Sequence, residues 1–300
     1  MDFDFIYRGL SEALPELKIL RNEEMKSHSS FKIGGAAEIF IEPKGEEQLA
    51  ESYKLLREMG VSPIVIGKGS NILVRDEGIK GVVFHIGDGL ADIKLDGEEI
   101  YAQAGATLAS VASAALRESL TGMEFAHGIP GSIGGGVMMN AGAYGGELKD
   151  IVYRVRYMDA QGNILETEDC RFAYRHSRFE EEESIILGAY IKLEKGEKEA
   201  IAAQMKLLSE KRMSSQPLDK PSAGSTFKRP ATGYAAAMID ECALKGLRVG
   251  DAQVSEKHAG FVVNLGNASF ADVKAVMEKV QEEVFSRFGT MLEPEVRILG

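Results

Sequence analysis

The chain has 300 residues, of which 44% are hydrophobic, and a formal net charge of −11 at pH 7. This size and composition predict two or three domains with substantial cores. The acidic balance, without any run of Lys or Arg, excludes the basic face that a nucleic-acid partner needs. No stretch approaches the roughly 20 apolar residues of a membrane helix, and residues 1–30 lack the pattern of a signal peptide. We therefore expect a cytoplasmic protein without a nucleic-acid, membrane or obligate protein partner.

Hydrophobic periodicity predicts an α+β protein whose first part is a small strand–helix–strand unit. Residues 1–30 are predicted as a helical lead-in, and residues 31–86 as the first compact block. Gly60 fits the stop signal of the predicted helix. The elements predicted in this block are a strand at 38–42, a helix at 46–59 and strands at 63–66 and 82–86.

Two further blocks follow, at residues 87–195 and 196–300, and a charged linker is predicted at 195–199. Thr107 is expected to cap the first helix of the second block. In the second block we predict a strand at 100–104, a helix at 108–120, a hairpin formed by 152–158 and 164–167, and a strand at 184–193. In the third block we predict a helix at 199–213, a loop at 217–230, a helix at 232–242, a strand at 261–265, a helix at 270–287 and a strand at 295–299.

Two glycine-rich segments interrupt this pattern, at 67–71 and 128–136. Glycine lets backbone amides approach a ligand closely, and a segment with so little side chain is not expected to build a core. Because Ile72 occupies the position of the third glycine, the first segment is not a dinucleotide-binding fingerprint, and it is not a P-loop either. Together the segments predict one large anionic or planar cofactor. The residues predicted to bind it are Ile66, Gly67, Lys68, Gly69, Ser70, Asn71, Gly128, Pro130, Gly131, Ser132, Gly134 and Gly135.

The cysteines and histidines do not predict a metal site. Cys170 and Cys242 form no CxxC pair and are expected to be free thiols. The spacing of His28, His85 and His127 matches no metal-binding pattern.

Six short motifs follow one another along the chain, at 28–35, 67–73, 131–135, 174–177, 223–227 and 292–296. In this order they resemble the motifs of the UDP-N-acetylenolpyruvoylglucosamine reductases, which are bacterial flavoenzymes of peptidoglycan precursor synthesis. The resemblance extends from about Ser27 to the end of the chain. It implies an FAD-binding fold of the vanillyl-alcohol-oxidase (PCMH) type in two α+β subdomains, followed by a C-terminal α+β substrate-binding domain.

The resemblance also implies a reaction and its catalytic residues. NADPH would reduce a noncovalently bound FAD, which would then reduce the enolpyruvyl ether of UDP-N-acetylglucosamine enolpyruvate to a lactyl ether. Arg175 would hold the substrate carboxylate, Ser225 would protonate the carbon that carries it, and Glu295 would stabilise the enolate-like intermediate. Taken alone, the same residues have structural interpretations: an ion pair between Arg175 and the acidic run 180–183, a turn serine, and a solvated carboxylate at a strand end.

Further residues resemble substrate contacts of that family. The lysines and arginines among them could meet a diphosphate or a carboxylate, and for His258 a structural role is equally open. Some family members carry Asn at the position of Arg229. The interval between Arg175 and Ser225 is too short for an extra substrate-covering segment, which places the chain in the shorter subclass. The predicted substrate contacts are Tyr144, Lys211, Lys228, Arg229 and His258, and Arg212 is a weaker candidate.

Two rival functions remain open from the sequence. The first is an alcohol oxidase or dehydrogenase on the same scaffold, in which FAD is often attached covalently through His or Cys. The second is a nucleotide-sugar-binding protein without catalysis. Acid precipitation distinguishes covalent from noncovalent flavin, and a colourless protein would indicate the second rival.

Overall fold

The computed structural model describes residues 2–300 and divides them into two compact units. Unit 1 contains residues 2–21, 39–68 and 81–212, and unit 2 contains residues 22–38, 69–80 and 213–300. Each unit is thus assembled from three separate stretches of chain. The four-part division predicted from the sequence divides the chain at other residues and stays a prediction.

Seven helices are present within residues 2–300. The apolar spacing that predicted α2 corresponds to its buried face, formed by Leu49, Tyr53 and Leu56. Thr107 caps α3 as predicted, because its Oγ1 accepts the amide of Ser110 at 3.0 Å. The helices are α1 Phe3–Ala13, α2 Glu46–Glu58, α3 Leu108–Arg117, α4 Ile133–Met138, α5 Lys198–Ser215, α6 Ala235–Glu241 and α7 Phe270–Phe288.

The strands within residues 2–300 are mostly short. They are β1 Lys18–Glu24, β2 Ala36–Glu42, β3 Ile64–Ile66, β4 Ile72–Val74, β5 Ile79–His85, β6 Ile93–Asp96, β7 Glu99–Gln103, β8 Leu120–Thr121, β9 Gly142–Ala143, β10 Gly146–Glu147, β11 Val152–Met158, β12 Ile164–Thr167, β13 Ile185–Lys192, β14 Glu194–Lys195, β15 Ser222–Ser225, β16 Arg248–Val249, β17 Ala252–Val254, β18 Phe261–Asn264 and β19 Arg297–Leu299.

The sheets confirm the α+β class. A four-stranded sheet has the order β1-β2-β5-β3, so that β5 lies between the two strands joined by α2. Strand β3 pairs in parallel with β5, with Ile66 opposite His85. A five-stranded sheet has the order β12-β11-β13-β7-β6, and all of its neighbouring strands are antiparallel. Helix α4 packs on β13 and β7 of this second sheet, in the large core of unit 1.

Unit 2 has its own core. Its four-stranded antiparallel sheet has the order β15-β18-β17-β16, and α7 packs against β17 and β16. A separate parallel pair joins β19 to β4, with Arg297 opposite Ile72. The core also includes Phe31, Ile33 and Leu73, which come from early parts of the chain.

Two of the predictions about local structure were wrong. Within residues 2–30 the predicted helical lead-in is helical only over α1 and a short 3-10 turn at Met25–His28, because residues 18–24 form β1 at the edge of a sheet. Edge strands carry charged residues, and this obscures their hydrophobic pattern. The second glycine segment does contribute to the core, because it includes the first turn of α4, where Ile133 is fully buried. Smaller differences are β14 within the predicted linker and β15 within the predicted loop at 217–230.

Candidate functional site

A pocket in unit 1 gathers five of the residues predicted to bind a cofactor. It encloses about 420 Å³ of empty space, part of which is open to solvent. Mainly apolar walls with a few polar groups are typical of small-molecule and cofactor sites. The predicted residues in its wall are Ile66, Gly67, Ser132, Gly134 and Gly135. The remaining wall residues were not predicted and are Val65, Ile86, Ala104, Met138, Ser184, Ile185 and Ile186.

Two hydroxyl groups in this wall lack hydrogen-bond partners. The Oγ atoms of Ser132 and Ser184 are buried, and neither has a partner within residues 2–300. Leaving a buried hydroxyl unpaired costs about 1–3 kcal/mol. A flavin ring offers polar edge atoms beside apolar faces, which matches two unpaired hydroxyls in a mainly apolar wall. The residues of the pocket therefore fit the cofactor that the family resemblance implies.

Glycines shape this part of unit 1 by leaving space for their neighbours. A Cβ atom at Gly67 would lie 2.5 Å from Oγ of Ser132, and one at Gly134 would lie 2.9 Å from Cβ of Ala104. The amide of Gly134 donates to the carbonyl of Ala104 at 2.8 Å. Gly134 is therefore needed for the close approach of α4 to the sheet, whereas Gly67 keeps one side of the Ser132 hydroxyl clear.

Replacing Gly67 with Ala is expected to weaken FAD binding about tenfold or more. The new methyl group would lie against Ser132 Oγ in the pocket wall, and overpacking of this kind costs about 1–3 kcal/mol. Titration of the flavin-free protein with FAD, followed by flavin fluorescence, measures the change in Kd. Gly45→Ala is the control, because a Cβ there meets nothing within 4 Å and the residue has extended backbone (φ −179°). An unchanged Kd for Gly67→Ala would show that FAD does not bind in this pocket.

The first glycine segment, 67–71, presents free backbone donors. Within residues 2–300 none of its five amides donates a hydrogen bond, whereas the carbonyl of Gly69 accepts the amide of Ser30 at 3.0 Å. Successive free amides form the kind of concave donor group that binds phosphate. The ammonium group of Lys68 lies 3.7 Å from the carboxylate of Asp88. Ser70 is half-buried.

The start of the second glycine segment lies beside a half-buried arginine. A Cβ atom at Gly128 would come within 3.3 Å of Cδ of Arg212. Burial lowers the pKa of the Arg212 guanidinium, and the nearby Tyr144 opposes this shift. Pro130 is exposed, and the carbonyl of Gly131 accepts the amide of Leu108 at 3.1 Å. These three predicted residues do not line the pocket described above.

Arg175 lies at the tip of a tight turn in unit 1. Ala173 and His176 close this turn through two backbone hydrogen bonds, of 3.1 and 3.2 Å. Arg175 has a φ of +55°, and its guanidinium lies 5.2 Å from the ring centre of Tyr174. A positive φ at the third position is typical of a type II turn, which prefers glycine there. A non-glycine residue held in this conformation costs about 1–2 kcal/mol.

In unit 2, Ser225 and Glu295 lie on neighbouring backbone segments. The amide of Glu295 donates to the carbonyl of Thr226, the residue after Ser225, at 2.8 Å. The side-chain amide of Asn71 donates to the carbonyl of Glu295 at 3.1 Å. Ser225 is half-buried at the end of β15, opposite Phe261, and its hydroxyl makes no hydrogen bond within residues 2–300. The structure thus brings two of the predicted catalytic residues into one part of unit 2.

Two of the predicted substrate contacts meet in unit 1. The ammonium group of Lys211 lies 5.3 Å from the ring centre of Tyr144, an exposed residue with a φ of +54°. A cation over an aromatic face is attracted by the quadrupole of the ring. The pair therefore forms a small cationic surface, and Arg212 is the residue that follows Lys211 in the chain.

The other three predicted substrate contacts lie in unit 2. Nζ of Lys228 is 3.6 Å from the Glu293 carboxylate, and the guanidinium of Arg229 is 4.1 Å from the ring centre of Tyr234. Nδ1 of His258 accepts the amide of Gly260 at 3.2 Å. Burial lowers the pKa of this imidazole, which also favours its neutral form as an acceptor. His258 therefore has the structural role that the sequence left open, and its contact with substrate stays a prediction.

Ser184 is the polar pocket residue that sequence reasoning missed. It lies one residue before β13 and immediately after a run of four glutamates. Nothing local distinguishes it from any surface serine. Its place in the pocket depends on the position of β13 in the middle of the five-stranded sheet, and this arises from long-range pairing.

Residues 2–300 contain neither a cluster of metal ligands nor a helix that could span a membrane. No group of three or more His, Cys, Asp or Glu side chains in this range is arranged to hold a metal ion. None of its helices combines the length and the apolar composition needed to cross a bilayer. Cys170 and Cys242 are both free thiols, and burial raises the pKa of Cys170 to about 11.

Comparisons with known proteins match nearly the full length of the chain to the family that its motifs resemble. A family model described as FAD binding domain matches residues 37–168, and one described as UDP-N-acetylenolpyruvoylglucosamine reductase, C-terminal domain, matches residues 216–299. The UDP-N-acetylenolpyruvoylglucosamine reductase of Caldanaerobacter subterraneus subsp. tengcongensis is 46% identical over 97% of this chain and 97% of its own length. The reductase of Clostridioides difficile is 45% identical, with 98% of each chain covered.

A solved structure supports this assignment. The crystal structure of UDP-N-acetylenolpyruvylglucosamine reductase from Thermus caldophilus covers 95% of this chain and 99% of its own, with 32% identity and a TM-score of 0.81. The predicted fold, an α+β FAD-binding domain followed by a C-terminal domain, is confirmed by these matches. The chain belongs to the UDP-N-acetylenolpyruvoylglucosamine reductase family.

Proposed function

We propose that this protein reduces UDP-N-acetylglucosamine enolpyruvate to UDP-N-acetylmuramate, with noncovalently bound FAD as cofactor and NADPH as reductant. The reaction belongs to peptidoglycan precursor synthesis, and the proposed location is the cytoplasm. The observation that carries the proposal is the nearly full-length similarity to relatives that bear this reductase name. The two unpaired serine hydroxyls in an otherwise apolar pocket support FAD independently of that similarity.

The pocket of unit 1 and the free amides of 67–71 would hold the FAD. Apolar side chains such as Ile66 and Met138 would contact ring faces, and the hydroxyls of Ser132 and Ser184 would meet polar ring edges. The amides of 67–71 suit the diphosphate, because they are donors without acceptors. When bound, the flavin supplies the hydride that reduces the terminal alkene carbon of the substrate.

Negative charge then develops on the substrate carbon that carries the carboxylate. Arg175 would bind this carboxylate, because a guanidinium keeps its charge and can donate two parallel hydrogen bonds to it. The turn that carries Arg175 holds the residue in a conformation that costs free energy. Strain of this kind is concentrated at functional sites, and this is consistent with a binding role for the arginine.

Ser225 would donate the proton that the same carbon requires. A serine hydroxyl is a weak acid, but an enolate carbon is basic enough to accept its proton when the two are well placed. The Ser225 hydroxyl is free of hydrogen bonds within residues 2–300, so no internal bond has to be broken first. Glu295, whose backbone is joined to that of Thr226, would assist by stabilising the enolate-like intermediate.

Five residues would contact the nucleotide part of the substrate. Tyr144 and Lys211 would act as a pair in unit 1, because the ring and the ammonium group already face each other. Lys228, Arg229 and His258 would do so in unit 2. The cations suit the two phosphates, and the exposed tyrosine offers both a hydroxyl donor and a ring face.

The proposal is tested by following the visible flavin spectrum of the purified protein without oxygen. NADPH is expected to bleach the flavin, and the enolpyruvyl sugar nucleotide is expected to restore its colour while UDP-N-acetylmuramate forms. NADH, added in parallel, measures the preference for the reductant. Bleaching without recovery on addition of the substrate would contradict the proposed reaction. Flavin that stays attached after acid precipitation would favour the covalent alcohol oxidases instead.

A further inference from the structure

Asn140 is a buried side chain at the end of α4 that forms three hydrogen bonds. Its Nδ2 donates to Oε2 of Glu147 at 2.8 Å and to the carbonyl of Ala173 at 3.0 Å. Its Oδ1 accepts the amide of Lys149 at 2.9 Å. Only 1% of the residue is exposed, so these bonds replace water completely. A polar group buried this deeply costs free energy unless it is paired, so its position is strongly specified.

One of these partners belongs to the turn that carries Arg175. The Arg175 turn, residues 173–176, begins at Ala173, whose carbonyl Asn140 binds. The residue that follows the turn is Ser177, which is fully buried. Its hydroxyl donates to the carbonyl of Met138 at 2.9 Å. The two ends of the Arg175 turn are therefore attached to the same end of α4.

Helix α4 also forms part of the candidate cofactor pocket. Ser132 precedes its first turn, and Gly134, Gly135 and Met138 line the pocket. Asn140 and Ser177 thus connect the wall of the pocket to the arginine proposed to bind the substrate carboxylate. The two hydrogen bonds have ordinary lengths, but both come from buried side chains, and satisfied buried polar groups hold one geometry better than exposed ones do.

Electrostatics near the turn agree with this geometry. The carboxylate of Glu147 has a lowered pKa, chiefly because of its bond to Lys149 and also because of Asn140 and the positive charge of Arg175. Asn140 therefore holds the carboxylate of Glu147 by a hydrogen bond, and this carboxylate interacts electrostatically with the guanidinium of Arg175. The same amide group holds both the backbone of the turn and a carboxylate that interacts with its cation.

We propose that Asn140 and Ser177 are positioning residues for Arg175, which hold its turn on α4 in the conformation that binds the carboxylate of the substrate. This inference rests on the proposed function, because it assigns the two residues to the substrate step. Neither residue is expected to contact the substrate itself.

The test is a double-mutant cycle on the oxidation of reduced flavin by the substrate. The proteins are Asn140→Asp, Ser177→Ala, Arg175→Ala and the two doubles with Arg175→Ala. Asn140→Asp keeps the size of the side chain but replaces the donor with an acceptor that faces the carbonyl of Ala173 and the carboxylate of Glu147. Each protein is reduced with stoichiometric dithionite, so that the result does not depend on NADPH, and the apparent substrate affinity and the limiting rate are measured separately.

Each single change at the two positions is expected to lower the ratio of limiting rate to substrate half-saturation about tenfold, or roughly 1.4 kcal/mol. In the Arg175→Ala background the same changes are expected to lower this ratio by less than about twofold further. The reason is that the effects of residues that act through one another are not additive. Ser52→Ala is the matched control, because the buried Ser52 hydroxyl likewise donates to a helix carbonyl, that of Gln48, at 2.7 Å. Ser52→Ala should lower the unfolding temperature about as much as Ser177→Ala does, but it should leave the rate of flavin oxidation by the substrate unchanged.

The outcomes separate the inference from the function on which it rests. No effect of Arg175→Ala on the substrate step would overturn the role of Arg175 itself. A large effect of Arg175→Ala, with undiminished further losses from the second changes, would overturn the positioning role. If Asn140→Asp fails to fold, the cycle with the milder Ser177→Ala variant decides the question, because that variant removes a single hydroxyl.

Discussion

Replacing Ser225 with Ala is expected to slow the oxidation of reduced flavin by substrate roughly 10²–10⁴-fold, the usual contribution of a positioned general acid. Reduction of the flavin by NADPH should stay within about twofold, because that step needs no proton from the protein at the substrate carbon. The two half-reactions are measured by stopped-flow absorbance of the flavin without oxygen.

Ser222→Ala is the control for this experiment, because Ser222 lies on the same strand, opposite Val263, and is also half-buried. It is expected to leave both half-reactions nearly unchanged. Equal slowing of both half-reactions by Ser225→Ala would mean that Ser225 has a structural role. The proton would then have to come from another group, and Glu295 would be examined first, because its backbone is bonded to that of Thr226.

The second large effect is expected at Gly69. This residue has a φ of +61°, and a Cβ atom there would collide with the backbone carbonyl of His28. Gly69→Ala is therefore expected to lower the free energy of unfolding by about 2–5 kcal/mol. Of this, about 1–2 kcal/mol comes from the left-handed conformation and about 1–3 kcal/mol from the forced movement of the backbone.

Gly97 provides a matched comparison for that measurement. Its φ is +62°, almost the same as that of Gly69, but a Cβ atom there would meet nothing within 4 Å. Gly97→Ala should therefore cost only the conformational part, about 1–2 kcal/mol. Urea unfolding of the flavin-free proteins gives both values. Equal losses at the two positions would show that contact with His28 contributes nothing to the requirement for glycine.

The sequence predicted the long, periodic elements well. Helices α2 and α7 end within one residue of the predictions, because their apolar residues recur at helical spacing over several turns. Strands of two to four residues, such as β15 and β16, have too few residues to show a pattern. Strand β1 was missed for another reason, since a charged edge strand resembles a polar helix or loop in sequence.

The candidate site was predictable where its residues are clustered in sequence. Glycine-rich segments can be recognised locally, and five of their residues or neighbours do meet in one pocket. The sequence does not reveal the role of each glycine. Gly134 allows close packing on Ala104, whereas Gly67 borders the Ser132 hydroxyl. Ser184 and Asn140 gain their places only through long-range strand pairing and buried hydrogen bonds, so neither could be identified from its neighbours in sequence.

The composition of unit 2 has a consequence for synthesis on the ribosome. Its core needs Phe31, Ile33 and Leu73, and the chain closes it only with residues after 213. Strand β19 pairs with β4, which precedes it by more than 200 residues and so emerges from the ribosome long before it. The early segments therefore lack most of the apolar partners of their core until the residues after 213 have emerged from the ribosome. A nascent chain that has not yet reached residue 213 exposes this apolar surface, and exposed apolar surface makes incompletely folded chains prone to aggregate.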